Sequence, residues 1–196
     1  MNNEMNVESS KSDNFWDNGN EGNYWSDYNG TDNNQDGIGD TAYIINEANQ
    51  DNNPLMAPIK SFDAGTWEWT NYDVNIISNS TVSNFSFDPE SVQIRFNVEA
   101  QTGTTGFCRV SVPKDLLYAE SNWEVLANGN SLSPMINEDT NNTYLYFIYQ
   151  HSSQTIEIIG TTAIPEFPSW TPMLIMLIVL AVAVAIYKRR LRPQTN

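Results

Sequence analysis

The sequence predicts a mainly β protein: a turn-rich acidic segment of calcium-binding type, then an antiparallel β-sandwich, then one C-terminal transmembrane helix. Three observations carry this. Short runs that alternate apolar with polar residues recur through residues 60–163, separated by turn signals. Ahead of them, residues 13–59 are crowded with Asn, Asp and Gly interleaved with aromatic residues. Behind them, residues 173–187 read MLIMLIVLAVAVAIY without a charge, and a basic cluster follows at once.

The elements follow in chain order. Residues 1–12 are polar and expected to be disordered. Residues 13–59 carry Phe15, Trp16, Tyr24, Trp25, Tyr28 and Tyr43 among turn formers, so turns pinned by rings are expected there rather than long regular elements. Within this segment TDNNQDGIGD places Asp32, Asn34 and Asp36 two residues apart, like positions 1, 3 and 5 of a calcium loop. Gly37 takes the sharp turn, the carbonyl of Ile38 falls at position 7 and Asp40 at position 9. All of these are hard oxygen donors, suited to Ca²⁺. The place of the bidentate twelfth ligand is Tyr43, so weak binding is expected unless Asp27, Glu47 or Asp51 folds in. The competing reading is a solvated acidic turn.

Strand signals begin with WEWTNYDVNII and NFSFDPE. SVQIRFNVEA alternates strictly, with Val92, Ile94, Phe96 and Val98 on one face. GFCRVSV is a second such run, with Phe107, Cys108, Val110 and Val112 as its apolar members. NWEVLANG ends in Asn128-Gly129, a hairpin signal. TYLYFIYQ and QTIEIIG flank a His-Ser-Ser turn that holds His151, read as a surface residue. PKDLLYAE is expected to form a helical turn or two. Residues 164–172 form a Pro-rich stalk, residues 173–187 the membrane helix bracketed by Trp170 and Tyr187, and residues 188–196 a basic cytoplasmic tail.

Charge and residue usage narrow the function. The net charge is -15, and all 24 acidic residues precede the apolar run, so nucleic acid is excluded as a partner and membrane lipid is implied. By the positive-inside rule Lys188, Arg189, Arg190 and Arg192 stay in the cytoplasm and the N-terminal portion lies outside the cell. The start of the chain lacks the apolar core of a signal peptide, so the chain is expected to be the C-terminal part of a longer protein. One cysteine, Cys108, allows no intrachain disulfide and reads as a buried core residue. One histidine and one cysteine give no zinc or copper set. The carboxylate pairs Asp88/Glu90 and Glu138/Asp139 sit at strand ends, where solvated turns are expected instead of a glycosidase pair. No catalytic residue is therefore assigned. Trp67 with Trp69, and Tyr144 with Tyr146 and Ile148, each share a strand face. Such faces are either sugar-binding platforms or cross-strand packing. Sequons occur at Asn29, Asn79, Asn84 and Asn141, sites of glycosylation in an exported chain.

The stretch FWDNGNEGNYWSDYNGTDNNQDGIGDTAYII, continued by DNNPLMAP, resembles the C-terminal end of NosD-like right-handed parallel β-helix proteins, especially archaeal surface proteins. The shared pattern falls on Trp16, Asp17, Gly19, residues 22–28, Asp32, residues 36–41, Tyr43 and residues 54–56; Ala42 and Asn34 depart from it. The resemblance implies that residues 13–59 cap a β-helix. IPEFPSW, the apolar run and the basic end together resemble the PEF-type sorting tails of archaeal surface proteins. That resemblance implies recognition of Pro165, Glu166 and Phe167 by an archaeosortase-type transpeptidase. The expected function is a non-enzymatic, membrane-anchored archaeal cell-surface protein with a Ca²⁺ loop and a β-sandwich spacer or adhesion domain. The alternative is the C-terminal part of an extracellular carbohydrate-active or carbohydrate-binding β-helix protein, with extracellular glycans as partners.

Overall fold

The computed structural model describes residues 14–164 and 171–190, with side chains given for 14–164 and 173–188. The strands are β1 (Tyr43–Asn46), β2 (Asn49–Asp51), β3 (Ile59–Trp67), β4 (Thr70–Ser78), β5 (Thr81–Asp88), β6 (Gln93–Glu99) and β7 (Thr105–Pro113). They continue with β8 (Leu117–Tyr118), β9 (Glu124–Ala127), β10 (Asn130–Leu132), β11 (Met135–Glu138), β12 (Asn142–Gln150), β13 (Gln154–Ile159) and β14 (Thr162–Ala163). One helix follows, α1 (Thr171–Arg190). The described residues to Ile164 belong to one compact unit and α1 to another.

Two five-stranded antiparallel sheets dominate the first unit, ordered β10-β9-β13-β6-β5 and β11-β12-β7-β4-β3. The expected sandwich-like antiparallel architecture is present. Alternation explains which face is inside. Ile94, Phe96 and Val98 of β6 and Cys108, Val110 and Val112 of β7 have no exposed surface and share one core with Leu145, Phe147, Ile156 and Ile158. Each such side chain contributes about 1.5–3 kcal/mol relative to exposure. The core therefore lies between the two sheets, built from the residues whose period of two marked them as apolar.

Several local expectations need correction. WEWTNYDVNII is not one strand: the chain reverses at Glu68-Trp69, both at positive φ (46° and 70°), and pairs β3 with β4. Trp67 packs edge-on to Phe87 at 5.7 Å, while Trp69 stands fully exposed on the turn, so the two indoles share no face. PKDLLYAE forms a single hydrogen-bonded turn, closed by the Leu116 N–H on the Pro113 carbonyl, and no longer helix. It then enters β8, which pairs with β14, with Leu116 and Leu117 fully buried in the core. His151 is not a surface residue. It sits where the chain crosses from β12 in one sheet to β13 in the other and is only 6% exposed. Its Nδ1 is 2.5 Å from the Thr104 hydroxyl.

The expected transmembrane helix is also corrected. Among the described residues no helix is long and apolar enough to cross a membrane. The physical reason is length: the uncharged stretch within α1 covers residues 171–187, about 25 Å of helix against a hydrocarbon core of about 30 Å. The expected disorder of residues 1–12 and the sorting motif Pro165, Glu166 and Phe167 lie outside the described residues.

Candidate functional site

Residues 14–58 do not stand apart from the sheets. They fold as turns and the small β1-β2 hairpin against the outer face of the β11-β12-β7-β4-β3 sheet, where Leu55 and Ala57 close over Ile77, with Ile38 and Phe107 packed beside them. Aromatic and carboxylate side chains hold the turns. Trp25 stacks on Tyr43 at 4.4 Å, and its indole N–H donates to Asp51 Oδ2 at 2.8 Å. The buried Asp51 also accepts from the backbone N–H of Asn23 and of Asn53, which compensates its removal from water. Tyr28 donates its hydroxyl to the Thr41 carbonyl at 2.6 Å and passes so close to Gly30 and Gly39 that a Cβ at either would lie 2.0 Å from its oxygen. These two glycines of the segment are there for close approach.

The predicted calcium loop is a closed, hydrogen-bonded turn. Asp32 accepts from the backbone N–H of Asp36 at 3.0 Å and of Gly37 at 2.9 Å. Asp36 accepts from the N–H of Ile38 at 2.9 Å and from the Asn34 amide at 2.8 Å. Asp40 accepts from the N–H and the amide of Asn33, both at 2.8 Å. Gly37 holds φ +79°, and a Cβ there would lie 2.8 Å from Arg109 Cδ, so the turn needs glycine for conformation and for space. Burial pushes the Asp32 carboxyl above its ordinary range, against the two backbone donors and with the Asp36 charge adding to the push. Among the described residues no group of three or more His, Cys, Asp or Glu side chains is placed to hold a metal ion. The supplementary ligands are engaged elsewhere, Asp27 with the Tyr43 hydroxyl at 3.0 Å and Asp51 with Trp25.

The structure brings the loop to a cleft that the sequence did not reveal. A recess of ≈ 530 Å³ lies between the turns and the sheet, and Asn34, Asp36, Ile38 and Asp40 of the loop line it. The opposite wall is Arg109 of β7, Tyr144 and Tyr146 of β12, Asn137 of β11 and Asp139. The strand register makes this wall: Tyr146 is paired with both Arg109 and Met135, and Tyr144 with Asn137. Arg109 is 6% exposed. One of its terminal nitrogens, Nη2, meets Glu21 at 2.6 Å, and the guanidinium lies 4.5 Å over the Tyr144 ring. Its other terminal nitrogen, Nη1, has no acceptor among the described residues. Tyr144 donates to Asp139 at 2.7 Å. That bond, with the N–H groups of Asn142 and Asn141, holds Asp139 down to about 2. Burial, then the charges of Asp32 and Asp36, push Tyr146 up to about 12.

The aromatic platforms are packed. Tyr146 is buried and stacks on Phe107 at 5.6 Å, and one face of the half-buried Tyr144 is taken by Arg109. Only Ile148 of that predicted group is exposed. The carboxylate pairs are turn elements. Asp88 accepts from Ser91 and from the N–H of Glu90, and Glu138 pairs with Lys114 at 2.9 Å. Cys108 is buried, as expected, and burial pushes its thiol up to about 11. Asn29, Asn79, Asn84 and Asn141 are exposed, but the Asn79 amide donates to the Thr105 carbonyl and accepts from the Phe107 N–H.

Arg109, Glu21 and Asn137 are the residues that sequence reasoning missed, and Asp139 was read only as half of a turn carboxylate pair. The one available signal was a charged residue inside the otherwise apolar run GFCRVSV. No family model matches the chain, and no curated protein or solved structure is similar to it at a significant level.

Proposed function

We propose that this chain is a non-enzymatic cell-surface module held to the membrane by α1, of the archaeal NosD-like and PEF-tailed type that its motifs resemble. The observation that carries the reading is the surface of α1. From Met173 to Tyr187 every large apolar side chain is exposed, on all sides of the helix, and no polar face interrupts them. Water does not tolerate such a surface, and a bilayer does. A helix too short to cross can still bury this apolar surface in lipid, with Lys188 reaching for the headgroups. The acidic body then faces outward, and Pro165, Glu166 and Phe167 are presented to a processing transpeptidase.

Within this reading the loop from Asp32 to Asp40 is a weak Ca²⁺ site, supported by its hard-oxygen spacing and by the raised proton affinity of Asp32, which a cation would relieve. The membrane reading is tested by expressing the full chain in cells and adding protease to intact cells and to lysed ones. Recovery of the chain with the membranes and digestion of the acidic body in intact cells are expected. A chain found in the soluble fraction, or one protected until lysis, overturns the reading.

A further inference from the structure

We propose that the hairpin tip at Glu68-Trp69 rests in the headgroup region of a zwitterionic lipid bilayer, with the Trp69 indole as a membrane contact additional to α1. This deepens the surface-module reading and rests on it for the presence of a bilayer.

Glu68 and Trp69 turn the chain from β3 into β4 at φ 46° and 70°, a region that disfavours both residue types. The chain makes a turn of the same hand at Asn128-Gly129, with φ 48° and 77°, using residues that suit it. The fold itself does not need the Trp69 indole, which stands fully exposed. Strain kept at a position with no packing role is the mark of a contact made outside the unit. The strand directions say what lies there. Trp67, at the end of β3, meets Phe87, at the end of β5, at 5.7 Å. Phe87 is paired with Ile94 and Ile94 with Ile158, so β13 runs to the same end of the sandwich. At that end the N–H of Gly160 donates to the Val92 carbonyl, that of Thr161 to Tyr118 and that of Ile164 to Leu116. The chain therefore leaves the unit, at Ile164, from the end that carries Trp69. Seven peptide steps then lead to Thr171, where α1 begins, a reach of at most about 25 Å. A bilayer that holds α1 is within tether of the tip, and so short a tether raises the effective concentration of a second contact to about the millimolar range. Tryptophan is suited to that contact, because an apolar ring with one N–H donor settles at the level of the headgroups. The lipid class follows from charge. Glu68, Asp88 and Glu90 stand exposed at this end, and an anionic surface would repel them.

The experiment compares the full chain with Trp69→Ser, both reconstituted into phosphatidylcholine vesicles whose acyl chains carry bromine close to the headgroup. Flotation reads whether the chain is on the vesicles, and bromine quenching of tryptophan emission reads which indoles lie in lipid. Trp170 is present in both proteins, so the quenching lost on substitution belongs to Trp69. Both proteins are expected to float, with the larger quenched component in the unaltered chain. Trp69→Ser is expected to need severalfold more lipid for half flotation, with an unchanged thermal melt, since the exposed indole is not part of the core. Replacing part of the lipid by phosphatidylglycerol is expected to shrink the Trp69 component. If both proteins float and are quenched alike, this proposal is overturned while the membrane reading stands. Iodide access to Trp69 then separates a tip left in water from one covered by a second copy of the chain. If neither protein floats, the membrane reading falls and this proposal with it. A Trp69 component that grows on anionic vesicles overturns the zwitterionic assignment.

Discussion

Asp32 and Asp139 face the same region of the molecule with opposite proton affinities. Asp32 is raised because burial penalises its charge more than the backbone donors of Asp36, Gly37 and Gln35 reward it. A carboxylate whose folded value lies above the unfolded one, about 3.9, subtracts stability at neutral pH, and the loss is relieved as pH falls through the folded value. Asp139 works the other way: held at about 2 by Tyr144 and two backbone N–H groups, it favours the fold at neutral pH and stops doing so as pH falls from about 4 toward 2. Carboxyl carbon chemical shifts followed against pH should show Asp32 titrating above the ordinary aspartate range without Ca²⁺ and moving down in millimolar Ca²⁺. An Asp32 midpoint indifferent to Ca²⁺ means that the loop is only a turn. The spacing of Asp32, Asn34 and Asp36 was legible in sequence. The use of their oxygens was not, because backbone N–H groups of Asp36, Gly37 and Ile38 compete for the same lone pairs.

At the scale of elements, hairpin turns separate what local chemistry decides from what it permits. Asn128-Gly129 joins β9 to β10 with φ +48° and +77°, the conformation its residues favour. Glu68-Trp69 joins β3 to β4 in the same left-handed region with two residues that disfavour it. Its register is imposed by nine-residue strands pairing along their length, with Phe62 stacked on Phe85 at 5.0 Å on the core side. Replacing Glu68-Trp69 by Asn-Gly removes that cost without removing a contact made by the exposed indole, so chemical denaturation should show a gain of about 1 kcal/mol. A loss would mean that Trp69 packs in solution against something. The same contrast explains the reading of WEWTNYDVNII as one strand: nothing in Glu-Trp signals a reversal.

At the scale of the molecule, one ion pair ties the turn-rich segment to the sandwich. Arg109 comes from the middle of β7 and Glu21 from the turns 88 positions earlier, and they meet at 2.6 Å. Arg109 is buried while Glu21 is 29% exposed at the side chain, so removing the carboxylate strands a guanidinium that water cannot easily reach. Glu21→Ala should lower stability by about 2–4 kcal/mol, less than a fully buried pair would lose, in a denaturant midpoint measurement. Glu21→Gln, which keeps an acceptor, should lose less. Equal midpoints for Glu21→Ala and the unaltered chain would show that the segment is held by Leu55, Ala57 and the ring stack alone.

The sequence by itself determined the antiparallel β class, the inward faces of β6 and β7, the Asn-Gly hairpin, the buried cysteine and the all-round apolar character of residues 173–187. Each of these depends on neighbours one, two or four residues away, and period and turn chemistry record such neighbours directly. Tertiary structure alone decided that His151 is buried at a crossover, that Trp67 and Trp69 part, and that PKDLLYAE pairs with β14 in a small sheet of its own. It also decided that the acidic loop forms one wall of a cleft whose other wall is Arg109, Tyr144 and Tyr146. Those partners lie far apart along the chain, and no local pattern encodes them. Antiparallel register and the docking of one apolar face on another bring them together, and only then does a single arginine in an apolar strand meet Glu21 and the Tyr144 ring.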